Sequence, residues 1–307
     1  MTVLQTSGIV LPKSVALTVA GKAKDTSTVA ALTPAKPEIF ADETYLVFNG
    51  ASEAEVVAEG SAKSKYDQTV APVVANRATV QTTTRVSKQL KWADEDDQIG
   101  IIEAIQEDQA KAIGRALDYL VYHAVNPKTG LVISSYTALS AASGVNNVYL
   151  GAALASATDA QFIGSVDNLA EKVNDAYDIN GFALSKKYAN AMRKIRVSST
   201  YTRLYPEIPL NLNVGSIEGV PAATSGTVSG RLNNSASDIL AIMGDYSLIK
   251  WGLVRDMMAE VIEYGDPDNG GDLKRYNQIA YRTEAVLAWA VIDPKAFAIL
   301  HAGTAPN

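Results

Sequence analysis

Seven residues between Ile102 and Ala124 recur at spacings of three and four: Ile102, Ile105, Gln109, Ala112, Ala116, Leu120 and Ala124. That period puts them on one face of a helix. The run Asp94-Glu95-Asp96-Asp97 lies just ahead, where the helix dipole favours negative charge, and Pro127 and Gly130 close the pattern. The spacing predicts a rod of about 28 residues, on the order of 42 Å long. A helix of that length acts as a spine on which the remaining segments must be hung.

The segments ahead of the rod are of a different kind. Residues 1–40 mix Ser, Thr, Ala and Lys with Pro12, Pro34 and Pro37, show no helical period, and carry too little apolar content for a core of their own. They read as an arm that lies across something else, so the rest of the chain is expected to fold without them. Residues 41–72 read as a long β-hairpin. Thr44–Phe48 and Glu55–Ala58 are strand-like and flank the polar tip Glu59-Gly60-Ser61-Ala62-Lys63-Ser64-Lys65. Val73 to Val86 is rich in β-branched residues and is predicted as strand.

Beyond the rod, residues 134–271 read as a separate α/β unit. Val166, Leu169, Ala170, Val173 and Tyr177 suit an amphipathic helix, Gly181–Leu184 a strand, and Lys186 to Val197 a second helix. Ile239–Met243, Ile249–Leu253 and Met257–Glu263 are expected as strands of one sheet. Asp266-Pro267-Asp268-Asn269-Gly270-Gly271 is an exposed turn. Lys274 to Ile292, in the closing segment 272–307, is a long strand that can return to pair with the Val73–Val86 region. The architecture is therefore α+β: an arm (1–40), a hairpin (41–72), a unit carrying the long helix (73–133), an inserted α/β unit (134–271) and a returning strand.

Composition removes several chemistries. With no cysteine and two histidines, thiol nucleophiles, disulfides, iron–sulfur clusters and ordinary zinc sites are not available. The net charge of −6 argues against a broad basic nucleic-acid footprint. No apolar run approaches the roughly 20 residues that span a bilayer, and no secretory signal pattern opens the sequence, so a soluble cytoplasmic product is expected. No G-x-S-x-G elbow, P-loop or G-x-G-x-x-G is present. His123 and His301 read as structural, and the Asp266–Asp272 turn departs from a calcium loop at Gly270 and Asn277. No cofactor and no metal are expected. The basic pairs Lys186-Lys187 and Arg193-Lys194 with Arg196 face solvent or a partner's acids.

The order of these pieces carries a resemblance. An arm, a hairpin with Glu59-Gly60-Ser61-Ala62-Lys63, a strand, Val86-Ser87-Lys88-Gln89-Leu90 and a long helix come first. Gly181-Phe182-Ala183-Leu184-Ser185, Glu218-Gly219-Val220-Pro221, Met243-Gly244-Asp245-Tyr246-Ser247, Arg282-Thr283-Glu284 and Asp293-Pro294-Lys295-Ala296-Phe297 follow. This resembles the major capsid proteins of tailed phages, which have the Hong Kong 97 phage capsid fold, from about residue 41 onward. The resemblance implies a peripheral domain built on the spine helix and an axial domain over residues 134–271. It also implies an arm and hairpin that reach over neighbours, with pentamers and hexamers assembled into an icosahedral head enclosing double-stranded DNA. It further implies a virion protein assembled in the bacterial host cytoplasm with a portal, a maturation protease and, since only residues 1–40 precede the hairpin, a separate scaffolding protein.

Some members of that family weld their shells by an isopeptide bond. By resemblance, Lys63 takes the position of the hairpin lysine, and Asn277 and Glu284, counted back from Pro294, take those of the acceptor amide and the proton-accepting carboxylate. An encapsulin-like compartment shares the fold and is the nearest alternative. A cytosolic α/β enzyme using Glu59, Asp245 or Glu284 as acid or base is the alternative from another class.

Overall fold

A computed structural model describes residues 27–34, 44–48, 54–63, 65, 70–89, 91–92, 101–197, 200–230 and 237–306; for 101–104 and 255–259 it describes the backbone alone. The acidic run Asp94–Asp97 and most of the arm lie outside the described residues. In chain order the helices are α1 (Thr28–Leu32), α2 (Ile101–Asp118), α3 (Asp159–Asn174) and α4 (Lys186–Met192). The strands are β1 (Thr44–Phe48), β2 (Val70–Val74), β3 (Asn76–Ser87), β4 (Asn146–Tyr149), β5 (Gly181–Ser185), β6 (Ser216–Ile217), β7 (Val220–Ser225), β8 (Ile239–Gly244), β9 (Ile249–Ile262), β10 (Gln278–Val291) and β11 (Phe297–His301).

The expected long helix forms and is extended by a π-helical turn, Tyr119–His123. It ends at Ala124, whose backbone is left-handed (φ 49°), ahead of Pro127. Its first half lies on a three-stranded antiparallel sheet of order β3-β10-β9. Gln109 explains its place in an otherwise apolar stripe. Its amide donates to Thr84 Oγ1 (3.0 Å) and to the Tyr281 carbonyl (3.0 Å), and its Oε1 accepts from Thr283 (2.7 Å). A buried amide with three partners fixes the helix to both strands, where an apolar residue would only fill space. Ile105 packs with Val86, Ile279 and Tyr281, and Ile113 with Ala285.

The returning strand pairs as expected: β10 runs antiparallel to β3, from Gln278 opposite Ser87 to Trp289 opposite Asn76. Its other edge is taken by β9. The expected strands Ile249–Leu253 and Met257–Glu263 are thus one continuous strand that ends at Ile262, in a different sheet from Ile239–Gly244. That second sheet has six strands, in the order β4-β11-β8-β5-β7-β6. Its β11 comes from the C-terminal segment, which inserts between β4 and β8. Strand alternation sends Phe182, Leu184, Met243 and Leu300 to one face, under α3 and α4, and Ala183, Ile242 and Ile299 to the other, against the end of the long helix. A strand buried on both faces reads as a continuous apolar run, as Ile239–Met243 does.

Three local expectations are corrected. Glu55–Ala58 is not a strand: β1 pairs with β2 instead, Thr44 opposite Val74 and Phe48 opposite Val70, and the residues between lie beyond the ladder. Without a strand alongside, these four residues have no ladder to join. The helix from Lys186 ends at Met192 rather than Val197, and α3 begins at Asp159 behind a Thr158/Gln161 capping box.

The third correction is the arm. Ser27–Thr33 is part of the subunit core. α1 is capped by Ser27, and Val29 and Ala30 are fully buried. Below it sits Asp118, at 0% exposure. Its carboxylate accepts from Thr28 N (2.9 Å), Thr28 Oγ1 (2.9 Å) and Val29 N (3.1 Å), and from the hydroxyls of Ser27 and Thr227. Thr33 donates to the Tyr246 carbonyl and receives Trp251 Nε1–H on its own carbonyl (both 3.0 Å). This part of the arm is therefore packed into the core of its own subunit. Asp118→Ala strands these donors, so it should destabilise the subunit by about 3–5 kcal/mol. Urea unfolding of the variant measures this, and a loss under about 1 kcal/mol would refute the role given to Asp118.

Candidate assembly and crosslinking surfaces

The two-stranded ribbon β1–β2 leaves apolar side chains uncovered: Leu46 is 64% exposed, Val74 57% and Val56, in the tip, 100%. A ribbon of two strands is at best marginally stable in water and gains stability when its apolar side chains are covered by another surface. Glu59-Gly60 forms the expected turn, with Gly60 at φ +81° and Ser61 N–H donating to the Ala58 carbonyl. Lys63 follows it, exposed and outside any strand.

Asn277 closes the turn that leads into β10. Its backbone is left-handed (φ 54°), its carbonyl accepts from Lys88 N–H (3.0 Å), its N–H donates to the Lys274 carbonyl (3.3 Å), and the residue is exposed. Glu284 lies on β10, opposite Gln81 of β3 and Met258 of β9, beside a register shift in the β9 pairing. It is exposed on the sheet face opposite to the long helix. Seven residues of nearly extended chain separate it from Asn277, on the order of 20 Å. One subunit therefore does not hold its own Asn277 and Glu284 within reach of one bond.

Ahead of Asn277, the Asp266–Gly271 turn is held by a residue that no sequence motif singles out. Arg85 on β3 donates through Nε to Asp268 (2.7 and 2.9 Å) and through Nη2 to Asp266 (2.8 Å) and Asp268. Its Nη1 reaches the Gly271 carbonyl (2.9 Å) and Gln278 Oε1 (3.2 Å). Its hydrogen bond and charge hold the Asp268 carboxyl below the usual carboxylate range. Arg282 Nη2 adds a bond to the Pro267 carbonyl (2.9 Å). Nothing in the Thr-rich stretch around Arg85 signals this, since the contact spans more than 180 residues.

The remaining polar candidates have structural partners. Asp245 caps a short turn and accepts from Ser247 N–H (2.9 Å) and Asn180 Nδ2 (2.5 Å). Two surface cavities of about 380 and 400 Å³ lie beside α3 and beside α1, and none of Glu59, Asp245 and Glu284 lines either. His301 faces Asp238 and Asn147 (2.9 Å each). Among the described residues no helix is long and apolar enough to cross a membrane.

A sequence profile of the phage capsid family matches residues 7–302. The chain belongs to that family. A solved structure from Mycobacterium phage Ogopogo is 30% identical, with a TM-score of 0.75, over 91% of this chain and 92% of that one. One from Gordonia phage Cozz, 24% identical over 91% and 87% of the two chains with a TM-score of 0.72, shares the fold. So does a chain described as the capsid of an empty GTA particle, 14% identical over 91% and 90% with a TM-score of 0.59. No curated protein matches the chain. This phage capsid protein is a subunit of a multi-subunit shell, and the uncovered ribbon is an apolar surface suited to cover by another subunit.

His123 makes the subunit sensitive to acid. Its Nε2–H donates to the carbonyls of Thr227 (3.2 Å) and Val228 (3.1 Å), and burial lowers its pKa below the ordinary 6.5. The unfolded chain then binds a proton that the folded one refuses, so the stability due to the neutral ring is complete above pH 6.5 and falls as pH drops towards the folded pKa. Urea unfolding should show a midpoint that declines from pH 7.5 to 5.5, and His123→Gln should flatten that decline. Parallel pH profiles for the two proteins would contradict it.

Proposed function

We propose that this protein is the major capsid protein of a tailed, double-stranded DNA phage, with the Hong Kong 97 fold, and that its shell is welded by isopeptide bonds between Lys63 and Asn277 of different subunits. The observation that carries the reading is the family match over residues 7–302, with a mycobacteriophage structure 30% identical over nine-tenths of both chains. In this reading α2 is the spine, the three-stranded sheet with it forms the peripheral domain, and the six-stranded sheet forms the axial domain around five- and six-fold axes. The acidic balance suits a container that must not grip its DNA, and the protein's role is structural apart from a single self-modifying turnover. A scaffolding protein, a portal and a maturation protease complete the assembly, which takes place in the host cytoplasm.

The crosslinking chemistry fits the residue types. Neutral Lys63 Nζ attacks Asn277 Cγ, a C–N bond forms, the Cγ–Nδ2 bond breaks, and ammonia leaves. Glu284 of a third subunit takes the proton from Nζ and returns it to the departing nitrogen, so no cofactor enters. The separation of Asn277 from Glu284 within one chain supports a three-subunit site. It also supports an order of events, since linkage waits until neighbours bring the three residues together.

Two measurements test the reading. Expression with the neighbouring phage genes should give closed icosahedral shells in negative-stain images; small soluble oligomers alone would refute the shell reading. Mature heads boiled in detergent should barely enter a gel, whereas Lys63→Arg, Asn277→Asp and Glu284→Ala should each restore a monomer band in heads that still assemble. Arginine keeps the charge but supplies no neutral amine. Wild-type heads that dissolve cleanly to monomers would end the crosslinking proposal.

A further inference from the structure

The turn carrying Asn277 is braced from one side chain. Arg85 directs its guanidinium nitrogens to Asp266, Asp268, the Gly271 carbonyl and Gln278 Oε1, which is adjacent to Asn277. The same turn is tightened by Asp266, whose carboxylate accepts from Gly270 N–H (2.8 Å) and Gly271 N–H (3.0 Å). Leu273, fully buried, exchanges backbone bonds with Gly265 and Gln278 (2.9 Å each). Gly270 lies so close to the guanidinium that a Cβ there would stand 2.7 Å from Arg85 Cζ. Arg85 itself is fixed on β3, opposite Ala280 of β10, with a side chain only 16% exposed.

We infer that Arg85 is the positioning residue for the crosslink acceptor: it holds the turn 266–278 in the one conformation that presents the Asn277 carboxamide outward to a neighbour's lysine. This rests on the crosslinking reading above. An amide is a poor electrophile, so the attack depends on how long the carbonyl carbon stays within reach of the amine and correctly turned. A misplacement of about 1 Å far from the chemistry can cost on the order of a hundredfold in rate. Among the described residues the backbone of Asn277 is held at its left-handed φ by bonds to Lys274 and Lys88, and a turn with two adjacent glycines and no brace would sample many orientations. The planar fork of Arg85 reaches two carboxylates, a carbonyl and an amide oxygen at once; a lysine at the same place offers a point charge without the fork. Arg85 touches neither the attacking amine nor the leaving ammonia, so its effect is on rate and not on the fate of the bond.

The test follows linkage in time on heads triggered to mature, by monomer-band loss and by mass spectrometry of the Lys63–Asn277 peptide. Arg85→Lys and, independently, Asp268→Asn should slow linkage by at least about tenfold. In a Lys63→Arg background, where no linkage occurs, both should leave head size and melting temperature close to those of Lys63→Arg alone. A merely structural role would instead lower the melting temperature of the unlinked heads in step with the rate. Asp268→Asn keeps the question decidable if Arg85→Lys heads fail to form. Linkage at the wild-type rate in both variants, or slowing matched by weakened unlinked heads, overturns the role of Arg85 while leaving the crosslink intact. Wild-type heads without the Lys63–Asn277 peptide overturn both.

Discussion

A single buried carboxylate organises the subunit. Asp118 sits where the α-helical part of the long helix gives way to its π-helical turn, with no solvent contact, and takes its donors from the arm and from Thr227. A buried carboxyl group is tolerable only when its oxygens are surrounded by donors. The requirement runs both ways: the arm returns to the core to satisfy Asp118, and α1 gains the acceptor that its unpaired N–H groups need. Around this point the buried hydroxyls of Thr28, Tyr122 and Tyr246 form a chain of hydrogen bonds, and burial raises the pKa of both phenols well above the ordinary range. The arm and the turns that follow β7 and β8 are thereby tied to one helix.

From that anchor the rest of the geometry follows in two directions. Towards its N-terminus the long helix lies on the three-stranded sheet through Gln109, a polar contact in an apolar seam that fixes position along the strands. Towards its C-terminus it becomes buried on all sides, with Leu120, Val121 and Tyr122 packed among Ile242, Trp289 and Ile299. The surfaces left over are the ones a capsid subunit needs: an apolar ribbon at one place and, on β10 and the turn before it, exposed Glu284 and Asn277. Both residues lie well apart along one rigid strand and the turn that leads into it.

The returning strand was legible because a long stretch of β-branched and aromatic residues after a glycine-rich turn has few other uses, and its only long match was the Val73–Val86 region. The long helix was legible from its period, although Gln109 gave no hint of its three partners. Lys63, Asn277 and Glu284 were singled out by resemblance alone; the structure shows all three exposed, and the distance between Asn277 and Glu284 along β10 depends on the strand being extended. Arg85 and Asp118 were not legible at all, because each acts through partners on average about a hundred residues or more away in the chain.

The sequence by itself determined the elements and the family: periods of 3.6 and 2, turn residues and the order of motifs are local properties, and they survive without knowledge of contacts. The tertiary structure alone decided which strands share a sheet, that Phe297–His301 enters between β4 and β8, and that Ser27–Thr33 belongs to the core. These depend on which distant groups satisfy one another's hydrogen bonds and cover one another's apolar surface. A buried Asp118 has a meaning only once Thr28 and Thr227 are beside it, and a turn of aspartates and glycines has a shape only once Arg85 reaches into it.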